Sequence, residues 1–116
     1  MGLYKRVIND NEYVLVNESW SNSRAWGHRT ILFKNGVELA ENKVRYYNRT
    51  WECYQYQTCM KGCISQLIEK RAERLKEIFK DKNNIQRFSY RTKGAYLEFR
   101  DSDSEYQELK ELYESL

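Results

Sequence analysis

The chain has 116 residues, of which 41% are hydrophobic and 32% charged, and its formal net charge is +3. A chain of this length has room for one core, and its apolar content excludes disorder throughout. No apolar run approaches the roughly 18 residues of a membrane span, so we expect no membrane contact. No apolar run follows the basic N-terminus as it would in a secretory signal. We therefore expect one cytoplasmic domain over residues 1–116.

The first part of the chain is predicted to be an antiparallel sheet. Residues 12–20 form an alternating, valine-rich run typical of a strand. Residues 28–34 and 37–39 flank Asn35-Gly36, a dipeptide that favours the type I′ turn of a tight hairpin. Residues 43–47 resume the extended pattern after Glu41-Asn42, which could be a bulge or a second turn. The first 48 residues therefore predict a meander of three or four strands.

A long helix is predicted to follow this meander. At Thr50, a candidate N-cap, the apolar spacing changes from about two to about 3.6 residues, which is the helical period. From Met60 to Phe79 the apolar residues keep spacings of three and four. The pattern predicts an amphipathic helix of nearly thirty residues, ending at residues 81–84, on which the sheet packs.

The last third of the chain is predicted to hold two small elements. Aromatic residues on both sides of Thr92-Lys93-Gly94 predict a second hairpin within residues 85–100, with a short helix in its first half as the alternative. Ser104 and Gln107 have the spacing of a capping box before a short acidic amphipathic helix. The predicted fold class is α+β: an antiparallel three- to four-stranded meander packed on one long amphipathic helix, with a small C-terminal hairpin and a short acidic helix.

Charge divides the chain in two. Residues 1–94 hold 18 Lys and Arg against 10 Asp and Glu, whereas residues 95–116 hold 2 against 7. One explanation is a basic surface for nucleic acid or an acidic partner, beside a separate acidic element. The other is that the acidic tail docks against the basic body. The sequence leaves both open.

No catalytic or metal-binding constellation is predicted. His28 is the only histidine, and Cys53, Cys59 and Cys63 lie in one helical stretch, where a reduced and buried state is expected. Zinc would need His28 together with all three cysteines, which the spacing does not favour. Phosphate-binding glycine loops are missing. We expect no catalytic residue, no metal and no cofactor, and therefore a protein that acts by binding rather than as an enzyme.

Basic and aromatic residues outside the predicted core are the candidate binding residues. Arginine with exposed aromatic rings is typical of protein interfaces and of platforms for single-stranded nucleic acid. Trp20 and Trp26 lie among serine, asparagine and glycine, so both are expected to be exposed. The predicted binding residues are Trp20, Arg24, Trp26, His28, Arg29, Arg49, Arg87, Arg91 and Lys93.

The segment Tyr46-Tyr47-Asn48-Arg49-Thr50-Trp51-Glu52-Cys53-Tyr54-Gln55-Tyr56-Gln57-Thr58 follows the Asn-Gly hairpin and leads into the long helix. It resembles small uncharacterised bacteriophage and mobile-element proteins with an Asn-Arg-Thr-Trp-Glu motif at this junction, over roughly residues 30–80. The resemblance implies a phage accessory protein, such as an anti-CRISPR or another inhibitor of host defence. Its expected partner is a host defence protein or ribonucleoprotein complex in the host cytoplasm. The alternative is a nucleic-acid-binding module that uses the basic and aromatic residues.

Overall fold

A computed structural model describes residues 2–46 and 52–116, with the side chains of residues 2–45 and 58–116. These residues form an antiparallel sheet and three helices, so the predicted α+β class is confirmed. The strands are β1 (Gly2–Ile8), β2 (Asn11–Ser21), β3 (Trp26–Lys34) and β4 (Val37–Tyr46), and the helices are α1 (Glu52–Asn83), α2 (Tyr90–Asp101) and α3 (Ser104–Glu114). Thr50 and the other residues of the motif between positions 47 and 51 lie outside the described residues.

The sheet is a meander in the order β1-β2-β3-β4, in which every strand pairs with its neighbour in sequence. The predicted Asn-Gly hairpin is confirmed, because Asn35 and Gly36 have the positive φ angles of 51° and 82° that a type I′ turn requires. Asn9 and Asp10 make a second tight turn with φ angles of 51° and 65°. This turn connects β2 to β1, the first strand of the meander, which was not predicted from the sequence.

The predicted irregularity at Glu41-Asn42 is wrong. Both residues pair regularly, Glu41 with Ile31 and Asn42 with Thr30. The register shift falls between Leu32 and Phe33, where Leu39 is the extra residue of β4. Residues 37–46 therefore form one continuous strand that crosses the bulge, rather than two short strands.

The main core lies between one face of the sheet and the helices. Side chains alternate across a strand, so Tyr13, Leu15 and Leu32 share the face that we call the inner face. They pack against residues of α1 and α3, and this cluster consists of Ile8, Tyr13, Leu15, Leu32, Cys63, Ile64, Leu109 and Leu112. Cys59 and Cys63 are buried and unpaired with each other, as predicted, whereas the side chain of Cys53 is outside the described ones.

The predicted second hairpin is also wrong, because residues 90–101 form helix α2. Ser89 caps this helix by accepting a hydrogen bond from the backbone N of Thr92 at 3.2 Å. The helical turn brings Tyr96 and Phe99 together on one side, where both contact the ring of Phe79 from α1. A second core of Leu75, Phe79, Tyr96 and Tyr106 thus stabilises three helices where a hairpin was expected.

Helix α3 begins one residue earlier than the predicted capping box. Asp103, rather than Ser104, is the N-cap, and its carboxylate accepts from the backbone N of Tyr106 at 2.9 Å. The same carboxylate forms two hydrogen bonds with the guanidinium of Arg71, at 2.8 and 3.0 Å. An aspartate here serves both α3 and the junction with α1, which a serine could not do.

The fold confirms docking of the acidic tail, which was one of the two explanations for the uneven charge. Helix α3 packs on α1 and reaches β1. Glu105 lies 3.3 Å from Arg71, and Glu111 lies 3.7 Å from Arg6. None of the described helices is long and apolar enough to cross a membrane.

Candidate functional site

The face of the sheet opposite the core, which we call the outer face, carries a cross-strand apolar cluster. Val16 pairs with Leu3 on one side and with Ile31 on the other, and Val14 pairs with Phe33. These five residues lie on the face of the sheet opposite to that of Tyr13 and Leu15, and no described helix packs on them. Leu3 is 71% exposed, and the other four are half-buried. The outer face thus carries an apolar surface that no described helix covers.

Charged residues that are already paired surround this cluster. Lys5 lies 3.0 Å from Glu12 at one margin. At another, Arg29 contacts Glu41 at 2.7 Å and Glu18 at 3.5 Å. The hydrogen bond between Arg29 and Glu41 raises the pKa of Arg29 and lowers that of Glu41. Arg29 is therefore part of a balanced rim rather than a free phosphate-binding cation.

One corner of the outer face depends on Gly27. This glycine pairs with Trp20, whose indole lies across it so closely that a Cβ atom at position 27 would be 2.7 Å from the ring. The ammonium of Lys43 lies over the same indole, 4.8 Å from its centre. Trp20 is therefore partly buried and fixed in place, although it still belongs to the outer face.

The expectation that Trp26 is exposed is wrong. Strand β2 runs on to Ser21, and the connecting turn is so short that the side chain of Asn22 accepts from the backbone N of Ala25 at 2.8 Å. Strand alternation then directs Trp26 and His28 to the inner face, where they are 8% and 2% exposed. Their rings meet edge to face, 5.6 Å apart. They support the sheet and do not share a surface with Trp20.

The other predicted binding residues lie in separate places. Arg24 is exposed in the turn between β2 and β3, and Arg49 lies outside the described residues. Arg87, Arg91 and Lys93 are exposed where α1 gives way to α2. Among the described elements, α2 contacts only α1 and α3, so its residues Arg91 and Lys93 do not adjoin the sheet.

Two buried thiols and a buried carboxylate stand out among the described polar residues. Burial raises the pKa of the Cys63 thiol to about 11 and also raises that of Cys59, so both are poor nucleophiles. The buried carboxylate of Glu108 accepts from Asn11 at 2.7 Å and from the Tyr13 hydroxyl at 3.0 Å, which satisfies it structurally. Within the described ranges, no three His, Cys, Asp or Glu side chains are grouped to hold a metal ion.

Comparison with protein families, with curated proteins and with solved structures gives no match for this chain. Any indication of function must therefore come from the surfaces themselves. The outer face could have been found in the sequence from Val14 and Val16, because β2 is apolar on both sides of its alternation. An antiparallel strand with two apolar sides either lies between two layers or exposes one of them.

Proposed function

We propose that this protein is a non-enzymatic accessory protein that acts by binding another protein through its outer face. The expected partner is a host defence protein or ribonucleoprotein complex, which the chain would inhibit by covering a functional surface. The choice of partner rests on the resemblance to phage proteins that carry the Asn-Arg-Thr-Trp-Glu motif.

The open apolar face is the observation that carries this proposal. An antiparallel sheet that packs on one side normally presents polar residues on the other. Here Leu3, Val16 and Ile31 form one apolar row across three strands, and Val14 and Phe33 form a second. An apolar centre with a polar rim is the usual anatomy of a protein interface.

The rim favours a protein partner over a polyanion. Arg29 is held by Glu18 and Glu41, and Lys5 is held by Glu12, so these cations are neutralised locally. A polyanion would have to displace those carboxylates, whereas an apolar protein surface needs only to cover the centre.

The acidic helix supports inhibition by covering a protein site rather than by imitating nucleic acid. Imitation of phosphates requires a row of free carboxylates facing solvent. Glu105 and Glu111 of α3 face Arg71 and Arg6 instead, and Glu108 is buried. This leaves α3 with few carboxylates to present as a phosphate row.

An affinity pull-down from host lysate with two matched variants tests the proposal. Ile31→Lys places a charge at the centre of the outer face, where it adjoins Glu41 and should leave the sheet folded. Val37→Lys makes the same kind of change at an exposed apolar position at the start of β4, beyond the apolar rows. Circular dichroism and thermal melting should verify that both variants fold.

The wild-type protein and Val37→Lys should retain the same defence nuclease or complex, identified by mass spectrometry. Ile31→Lys should lose it, because desolvating a charged ammonium at the centre of an apolar interface costs several kcal/mol. Retention of no defence component, or equal retention by Ile31→Lys, would refute the proposal.

A further inference from the structure

Tyr90 is the most exposed large hydrophobic residue among the described ones, at 97% of its full accessible surface. It is the first residue of α2, and the position one helical turn later is Gly94. Residues four apart are neighbours on a helix surface, so the missing side chain at Gly94 leaves that side of the phenol uncovered. The ring projects into solvent with its flat face accessible.

The surroundings of Tyr90 are strongly basic. Residues 76–94 contain six Lys and Arg but only two Asp and Glu. No ion pair among the described residues involves Arg87, Arg91 or Lys93, in contrast to Arg29 and Arg71. The first turn of α2 also lacks an acidic residue, so its backbone N–H groups add positive potential that no carboxylate offsets.

This region rests on packed aromatic rings. The ring of Phe88 contacts those of Phe79 and Tyr96 in the second core, and the ammonium of Lys76 lies 4.8 Å from its centre. Ser89 then fixes the start of α2 through its cap. Sixteen residues of α1, about 24 Å of helix, separate Cys63 at the sheet from Phe79 at this end. The outer face and Tyr90 are thus well separated.

We propose that this end of the protein binds single-stranded nucleic acid, with one base stacked on Tyr90 and the flanking phosphates held by Arg87, Arg91 and Lys93. We call these four residues the stacking site. An exposed aromatic ring among unpaired cations is how proteins bind single strands without sequence preference. The site goes beyond the protein-binding function proposed above and does not depend on it.

The geometry favours a single strand over a duplex. A base can stack on a projecting ring only where it is not already stacked between neighbours in a helix. A duplex would engage the cations but leave Tyr90 without a role. Both DNA and RNA single strands supply the same base faces and phosphates, so the experiment compares the two.

Fluorescence anisotropy with labelled oligothymidylate and oligouridylate of about 12 nucleotides, at about 50 mM salt, measures the binding. Tyr90→Leu keeps an apolar side chain but removes the aromatic face, and it should weaken binding about fivefold or more. Tyr90→Trp should restore it. Arg91→Gln should make the slope of log affinity against log salt less negative by about 0.7, the value for one phosphate contact on a single strand.

Arg74→Gln is the matched control, because it removes an exposed arginine from the part of α1 that lies near Tyr13 and Lys34 of the sheet, and it should leave the salt slope unchanged. Absence of oligonucleotide binding, equal binding by Tyr90→Leu, or equally tight binding of a duplex would each overturn the stacking site. Tyr90→Leu should still retain the protein partner in the pull-down, so failure of this proposal can be told apart from failure of the first.

Discussion

Asp103 joins α3 to α1, and its replacement by asparagine isolates the contribution of its charge. Asparagine caps a helix as well as aspartate does, so Asp103→Asn keeps the bond to the backbone N of Tyr106. What it loses is the double, charge-assisted contact with Arg71. The side chains of Arg71 and Asp103 are only 27% and 17% exposed, so solvent screens this pair less than a surface pair.

Hydrogen bonds to charged groups contribute about 1.5–3 kcal/mol each when they are partly buried. Arg71 keeps a contact with Glu105 at 3.3 Å, which offsets part of the loss. We therefore expect Asp103→Asn to lower the free energy of unfolding by about 1.5–2 kcal/mol. Asp103→Ala, which also removes the cap, should cost about 1 kcal/mol more.

Urea denaturation followed by circular dichroism measures these differences, and Asp101→Asn is the control. Asp101 lies two residues away and pairs only with the neighbouring Arg100, at 3.1 Å, with 52% of its side chain exposed. Exposed pairs contribute little, so this variant should lose less than about 0.5 kcal/mol. Equal losses in Asp101→Asn and Asp103→Asn would refute this account of the junction.

The stabilising effect of Asp103 should depend on pH in a definite direction. Its hydrogen bond with Arg71 lowers the pKa of Asp103 in the folded protein below that of an unfolded aspartate, which is about 3.9. The contribution is then fully present above that unfolded value and disappears as the pH falls through the lower folded one. The difference in the free energy of unfolding between the wild-type protein and Asp103→Asn should be constant from about pH 5 to 8 and should shrink below about pH 4. A difference that grows on acidification would contradict this linkage.

Two further predictions concern the sheet and its core. Gly27→Ala should destabilise the protein by about 2–3 kcal/mol, because the new Cβ would meet the carbonyl oxygen of Val44 in β4 and the Trp20 ring. Gly94→Ala, at an open position of α2, should instead stabilise the protein by about 0.5–1 kcal/mol. Thermal melting measures both changes, and equal effects of the two variants would count against the packing described. In a Cys53→Ser background, Cys59 and Cys63 should react with a thiol reagent at pH 8 only after unfolding, since both are buried; rapid reaction of the native protein would show that the helix does not cover them.

Periodicity and turn chemistry were sufficient to predict most of the meander and the long helix. The alternation in residues 12–20 and the Asn-Gly turn are local properties, and they fixed three of the four strands. Strand β1 was not predicted because its apolar residues Leu3 and Val7 are exposed on the outer face, so the strand shows no simple alternation of apolar and polar residues towards the core. Strand β1 is extended because it pairs with β2 along its whole length.

The C-terminal region was mispredicted because its decisive contacts are tertiary. Tyr96 and Phe99 favour a strand by intrinsic propensity, yet their spacing of three also suits a helix, and contact with Phe79 of α1 decides between them. The same limit affected the candidate site. Trp26 was expected to be exposed, and only the pairing register of β2 with β3 places it on the inner face.

A photo-crosslinking residue on the outer face tests the central claim most directly. The reactive group would replace Val16, at the centre of the apolar rows, and in a second protein it would replace Glu77, on the exposed side of α1. If the outer face binds a host defence protein, irradiation in host lysate should attach the same defence component at position 16 and not at position 77. Attachment of that component only at position 77, or of no defence component at position 16, would contradict the proposed function.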